Sequence, residues 1–129
     1  MRLDSKIMRE LATVIKREVP ELTDISVKGV NVLDDTDYPF LIITRDGGID
    51  TTDFICNLQL LFDVYGDDSY ETHELANDVV DAVKTWWNET SLNVMDKPVL
   101  NGIDDDGDGK TGEQTSSANM VITYLNQKD

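Results

Sequence analysis

Hydrophobic and polar residues alternate from Phe54 to Tyr65. Phe54, Cys56, Leu58, Leu60, Phe62 and Val64 fall on one face at period two, and a strand with such a stripe has to be covered by another layer. The opposite face (Ile55, Asn57, Gln59, Leu61, Asp63 and Tyr65) is mixed, so it is expected to meet water or another subunit. Gly66-Asp67-Asp68 ends the strand. Leu75, Val79, Ala82, Val83 and Trp86 then recur at helical spacing, with Glu74, Asp78, Asp81 and Lys84 off that face. The cover for the stripe is therefore a helix running toward Trp86-Trp87. Asp68 and Glu71 have the spacing of a capping box at its start, with Asp in place of the usual Ser or Thr.

The same patterns mark the other elements. Residues 3–19 read as a helix, with Leu3, Ile7, Leu11, Val14 and Ile15 on one side and Asp4 or Ser5 as candidate caps. Pro20 stops it, because the residue before a proline is driven out of the α region. Residues 25–32 alternate weakly and predict a short strand, followed by a polar connection at Asp34–Asp37. Phe40–Thr44 is a compact β-rich run with turn residues Asp46-Gly47-Gly48 behind it, and with the long strand it predicts an antiparallel hairpin or meander. Leu92–Met95 and Val99-Leu100 suggest a strand interrupted by Lys97-Pro98, and Ala118–Leu125 is the last strand. An acidic, glycine-rich loop is expected at 101–117. The order predicts one α+β domain over residues 1–129, with two helices on one face of a mainly antiparallel sheet of four to five strands.

The 129 residues suffice for one core. No apolar run approaches the ~20 residues that span a bilayer, and the N-terminal residues are too charged for a signal-peptide core. The single cysteine, Cys56, lies on the apolar stripe and reads as a small buried hydrophobe, which fits synthesis in a reducing cytoplasm. Twenty-six acidic residues against 11 basic ones give a net charge of −15. Without clustered Lys or Arg to neutralise phosphates, adhesive contact with nucleic acid is disfavoured.

The segment most like chemistry is residues 104–113. Asp104, Asp106 and Asp108, followed by Gly109, match the first half of an EF-hand loop, whose carboxylates bind a hard cation such as Ca²⁺ or Mg²⁺. The match then fails, since Thr115 stands where the bidentate Glu belongs and Thr111 where an apolar residue belongs. Glu113 would have to close a shorter, weaker site; a solvated hairpin tip is the plainer reading. His73, the only histidine, has no nucleophile motif beside it, and no phosphate loop, CxxC or HExxH occurs. Nothing in the residues speaks for an enzyme or a cofactor.

Tyr38-Pro39-Phe40-Leu41-Ile42-Ile43-Thr44, Leu60–Gly66 and the helix from Tyr70 to Trp87 together resemble the tail-terminator, or tail-completion, proteins of long-tailed bacteriophages and prophages. The resemblance covers nearly the whole chain in element order and is specific over residues 38–87. It implies a ring-forming homo-oligomer, usually a hexamer, located at the head–tail junction of the virion. Such a ring caps the tail tube, halts polymerisation of the major tail protein and presents a surface to the head-side connector protein. No reaction is implied, no membrane is involved, and DNA passes through an acidic lumen without specific binding. On this basis Ile55, Gln59, Leu61, Tyr65 and Trp87 are the candidate interface residues. Repulsion between copies of this charge predicts assembly favoured by salt, divalent cations or a basic partner. The alternatives are another head–tail connector or minor capsid component, and a calcium-binding module built on residues 104–113.

Overall fold

A computed structural model of the chain describes residues 3–27, 37–47, 54–94, 96–107 and 112–125. The elements run α1 (Asp4–Glu18), β1 (Ile25–Val27), β2 (Phe40–Arg45), β3 (Ile55–Gly66), α2 (Ser69–Glu89), β4 (Val99–Gly107) and β5 (Gln114–Leu125). The strands form one mixed sheet in the order β1-β2-β3-β5-β4. β1 lies parallel to β2, and every other pairing is antiparallel. The expected α+β architecture is present, with both helices on one face.

The alternation in β3 decides the packing. Cys56, Leu58, Leu60, Phe62 and Val64 are buried and point to the helices, as do Ala118, Met120, Ile122 and Tyr124 of its neighbour β5. α1 supplies Ile7, Leu11 and Ile15 to this core, and α2 supplies Leu75, Val79, Val83 and Trp86. Phe54 does not join the stripe. It precedes β3 and is 48% exposed, because the ladder that would turn it inward begins one residue later.

α2 begins as its sequence predicts: the Asp68 carboxylate accepts the Glu71 backbone N–H at 2.9 Å. α1 does not. Its N-cap is Leu3, with no side-chain cap. Asp4 stands inside the first turn and is drawn instead to Arg45 of β2, at 3.2 Å, and to the Tyr124 hydroxyl, which donates to it. Tertiary partners outcompete the local cap. The C-terminal end follows expectation, with Val19 as C-cap immediately before Pro20.

The largest correction concerns the acidic loop. Residues 101–107 belong to β4, and β5 already begins at Gln114, so the expected loop at 101–117 is mostly a β-hairpin. Aspartate is a poor strand former, but β4 is an edge strand whose side chains are almost all solvated, and there charges cost little and deter pairing with other chains. A bulge between Leu100 and Gly102 breaks its register, and Gly102 adopts a φ of 145° that suits a residue without a Cβ. Upstream, among the described residues 92–94, Val94 forms an isolated bridge to Tyr124 and Asn93 accepts the Leu125 N–H, while Met95 lies outside the described residues. β1 ends the described part of the weak strand, and residues 28–36 lie outside the described residues, as does Gly48 of the predicted turn.

Candidate subunit interface

Period-two geometry leaves a second sheet face turned away from the helices. Ile55, Gln59, Leu61 and Tyr65 of β3 all lie on it, half-buried by their own cross-strand neighbours. Tyr65 stands between Phe40 and Thr115, Leu61 between Thr44 and Asn119, Gln59 beside Val121, and Ile55 beside Leu125. The polar groups in the middle satisfy one another: Gln59 Nε2 donates to Asn119 Oδ1 at 3.3 Å, and Thr123 Oγ1 to Asn57 Oδ1 at 2.7 Å. A face whose polar groups are already paired sheds little hydration when another surface covers it.

The two ends of this face differ. At one end Ile55 stands beside Leu125 and Val121 beside Val99, two apolar pairs separated by the Asn57–Thr123 row, with Val99 56% exposed. At the other, Asp63 of β3 and Asp104 of β4 both stand opposite Ser117 of the intervening β5, and Asp106 stands opposite Thr115. No lysine or arginine occupies this face among the described strand residues.

Next to the acidic end lies an aromatic stack that sequence reasoning did not anticipate. Phe40 is sandwiched between Tyr38 and Tyr65, with ring centroids 5.7 and 4.9 Å apart and planes within 9° and 12° of parallel. The Tyr38 hydroxyl donates to Glu113 Oε2 at 2.8 Å, and this bond is the main reason its pKa is raised. The Tyr65 hydroxyl is also raised, first by burial and then by the negative charges of Asp63 and Glu113. The stack braces β2, β3 and the segment before β5 into one plate.

Trp87 is not part of this face. It sits on α2 in the helix layer, partly buried against the core. Of the candidate metal ligands, those among the described residues are likewise not brought together. Asp104 and Asp106 stand on a strand, where alternate residues are ~7 Å apart and cannot curl around one ion as an EF-hand loop does. Glu113 is bonded to Tyr38, and Asp108 lies outside the described residues. Among the described residues no group of three or more His, Cys, Asp or Glu side chains is placed to hold a metal ion.

His73 has a partner that no local motif announced. Its Nδ1 lies 3.0 and 2.9 Å from the two carboxylate oxygens of Asp105, and Ser116 Oγ donates to Asp105 Oδ1 at 2.6 Å. The serine bonds the carboxylate and not the imidazole, so this is no nucleophile–base pair. It fastens edge strand β4 and its neighbour β5 to the first turns of α2. The Asp105 carboxyl is held below the usual carboxylate range, chiefly by Ser116 and then by His73.

Two open grooves among the described residues lie on the helix layer. One, of about 410 Å³, is lined by Arg9, Glu10, Val14, Trp86, Glu89 and Thr90 among others. The second, of about 270 Å³, gathers Glu18, Glu21, Asp78 and Asp81. Burial, and then Glu21, Asp81 and Glu74, raise the Asp78 carboxyl. No described helix is long and apolar enough to cross a membrane.

No protein-family model matches the sequence, and no curated protein matches it.

Proposed function

We propose that this protein is a non-enzymatic component of a phage virion that assembles as a ring, caps the tail tube and forms the joint to the head-side connector. The observation that carries this reading is the sheet face without helices, on which Ile55, Gln59, Leu61 and Tyr65 stand together with internally paired polar neighbours. A face of this kind suits contact with another protein surface, since its apolar pairs and hydrogen-bonded amides can be covered while its acidic end meets a basic surface.

In this reading the copies of the ring contact one another or the tube through that face, and the major tail protein can add no further layer once the ring is seated. A net charge of −15 per copy keeps DNA from adhering as it passes the lumen. No cofactor is required. Divalent cations act by screening repulsion between copies, without a dedicated site. The protein is placed at the head–tail junction, after synthesis in the bacterial host cytoplasm.

Co-sedimentation tests the reading. Purified protein mixed with preformed tail tubes is expected to pellet with them and to block further addition of major tail protein. Binding to emptied heads but not to tubes would instead support a head-side connector or capsid component.

A further inference from the structure

Basic residues of this chain gather on one side of α1, although the helix layer also carries the acidic groove of Glu18, Glu21, Asp78 and Asp81. Of the 11 basic residues, Lys6, Arg9, Lys16 and Arg17 lie on α1, all of them exposed. Arg17 is neutralised by Glu18 and Glu89, at 2.9 and 2.8 Å. Lys6, Arg9 and Lys16 have no ion pair among the described residues; Lys16 donates to the Leu22 carbonyl at 2.6 Å. They follow one another at helical spacing along the side of α1 opposite its buried residues Ile7, Leu11 and Ile15. That side of α1 is thus a basic stripe on a strongly acidic protein.

The far side of the sheet carries the opposite sign. Asp63, Asp104 and Asp106 cluster at one end of the helix-free face, with no lysine or arginine among its described strand residues. Asp104 and Asp106 are ~7 Å apart along β4, and Asp63 is two strands from Asp104, ~10 Å away. Along a helix, Lys6 and Arg9 are separated by a rise of ~4.5 Å, and Arg9 and Lys16 by ~10 Å. The two charge patterns have similar spacing, and they lie on opposite faces of the molecule, so one copy cannot pair them internally.

We infer that the Lys6–Arg9–Lys16 side of α1 in one copy docks on the Asp63, Asp104 and Asp106 end of the open sheet face in the next copy. This rests on the ring reading above and supplies its contact. Because the two surfaces differ, the contact is head-to-tail, and such a contact closes into a ring when the rotation between copies allows it. Charge complementarity fixes the register, while the apolar and amide positions of the face supply area.

Charge exchange between surfaces tests this directly. Native mass spectrometry at moderate salt would be run on wild-type protein, on Lys6→Glu/Arg9→Glu, on Asp104→Lys/Asp106→Lys, and on a 1:1 mixture of the two variants. All the altered side chains are exposed, and thermal melts check that each variant is folded. Each variant alone is expected to associate roughly 100-fold more weakly than wild type, since like charges then face each other. The mixture is expected to regain the ring with the variants alternating, and therefore with an even number of copies. The chain carrying all four substitutions regains it alone. Wild-type rings that survive either reversal, or folded variants whose mixture stays monomeric, would overturn the docking assignment and leave the ring reading standing. Wild-type protein that never associates would overturn both.

Discussion

Glu10 of α1 accepts a hydrogen bond of 2.9 Å from the indole N–H of Trp86 on α2, and the same carboxylate oxygen accepts the Thr90 hydroxyl at 2.7 Å. One acidic side chain thereby ties the two helices together at the C-terminal end of α2. Trp86 is 1% exposed with Glu10 in place. Glu10→Ala is expected to cost about 1–3 kcal/mol by removing the acceptor of both hydrogen bonds. Trp86→Ala, which also opens a cavity, is expected to cost ~3–5 kcal/mol. Urea denaturation of both variants measures the two losses.

Asp105 makes stability depend on pH in a defined direction. Its folded-state pKa is lowered, by the Ser116 hydrogen bond and then by His73. The contribution is therefore present above the unfolded carboxylate value and is lost as pH falls through the lowered folded value. Asp105→Asn should be destabilising by ~0.5–1 kcal/mol at neutral pH, the scale of solvent-exposed pairs, with the gap closing below about pH 4. Thermal melts of wild type and variant across that range would show it. A gap that widens toward acid would contradict the assignment.

Gly66 ends β3 on the buried face, where a Cβ would collide with Thr72 Oγ1. That hydroxyl is held by a 2.6 Å hydrogen bond to the Asp68 carbonyl, at the cap of α2. Gly66→Ala should break this bond or displace the helix start, at a cost of about 1–2 kcal/mol. Amide exchange would localise the loss to the first turns of α2.

Much of the fold is legible in the sequence because the strongest patterns are also the most buried. The β3 stripe, the α2 face ending at Trp86, and the Asp68 cap all follow from spacing of two or 3.6 and one local hydrogen bond. The acidic hairpin was not legible. Asp104-Asp105-Asp106 has the composition of a loop, and only pairing with Thr115, Ser116 and Ser117 of β5 makes it a strand. The Asp4 cap failed for a related reason, since Arg45 and Tyr124 are remote in sequence. Of the candidate interface, the four β3 residues share a face by alternation alone. Trp87 could not be placed so, because helical position does not reveal which layer a tryptophan joins. The stack of Phe40 on Tyr65 and the His73–Asp105 pair depend on register, which no local window contains.

Leu61 and Tyr65 lie on the open face and outside the core cluster. Leu61→Glu is expected to leave the monomer folded, with a melting temperature within a few degrees of wild type, while lowering the self-association constant at least tenfold. Tyr65→Glu does the same to association but melts lower, because it also removes the stack on Phe40 and adds charge beside Asp63 and Glu113. Sedimentation velocity over a concentration series reads both association and compactness. Variants that keep the fold and the full oligomer would remove this face from the subunit contact.

The most direct measurement is native mass spectrometry on concentrated wild-type protein with negative-stain imaging, at moderate salt and with or without Mg²⁺ or Ca²⁺. A closed ring of one defined copy number is the predicted result, and the −15 charge of each copy makes its stability depend on the ions present. A monomer under all of these conditions, and still a monomer when preformed tail tubes are supplied as a template, would contradict the account.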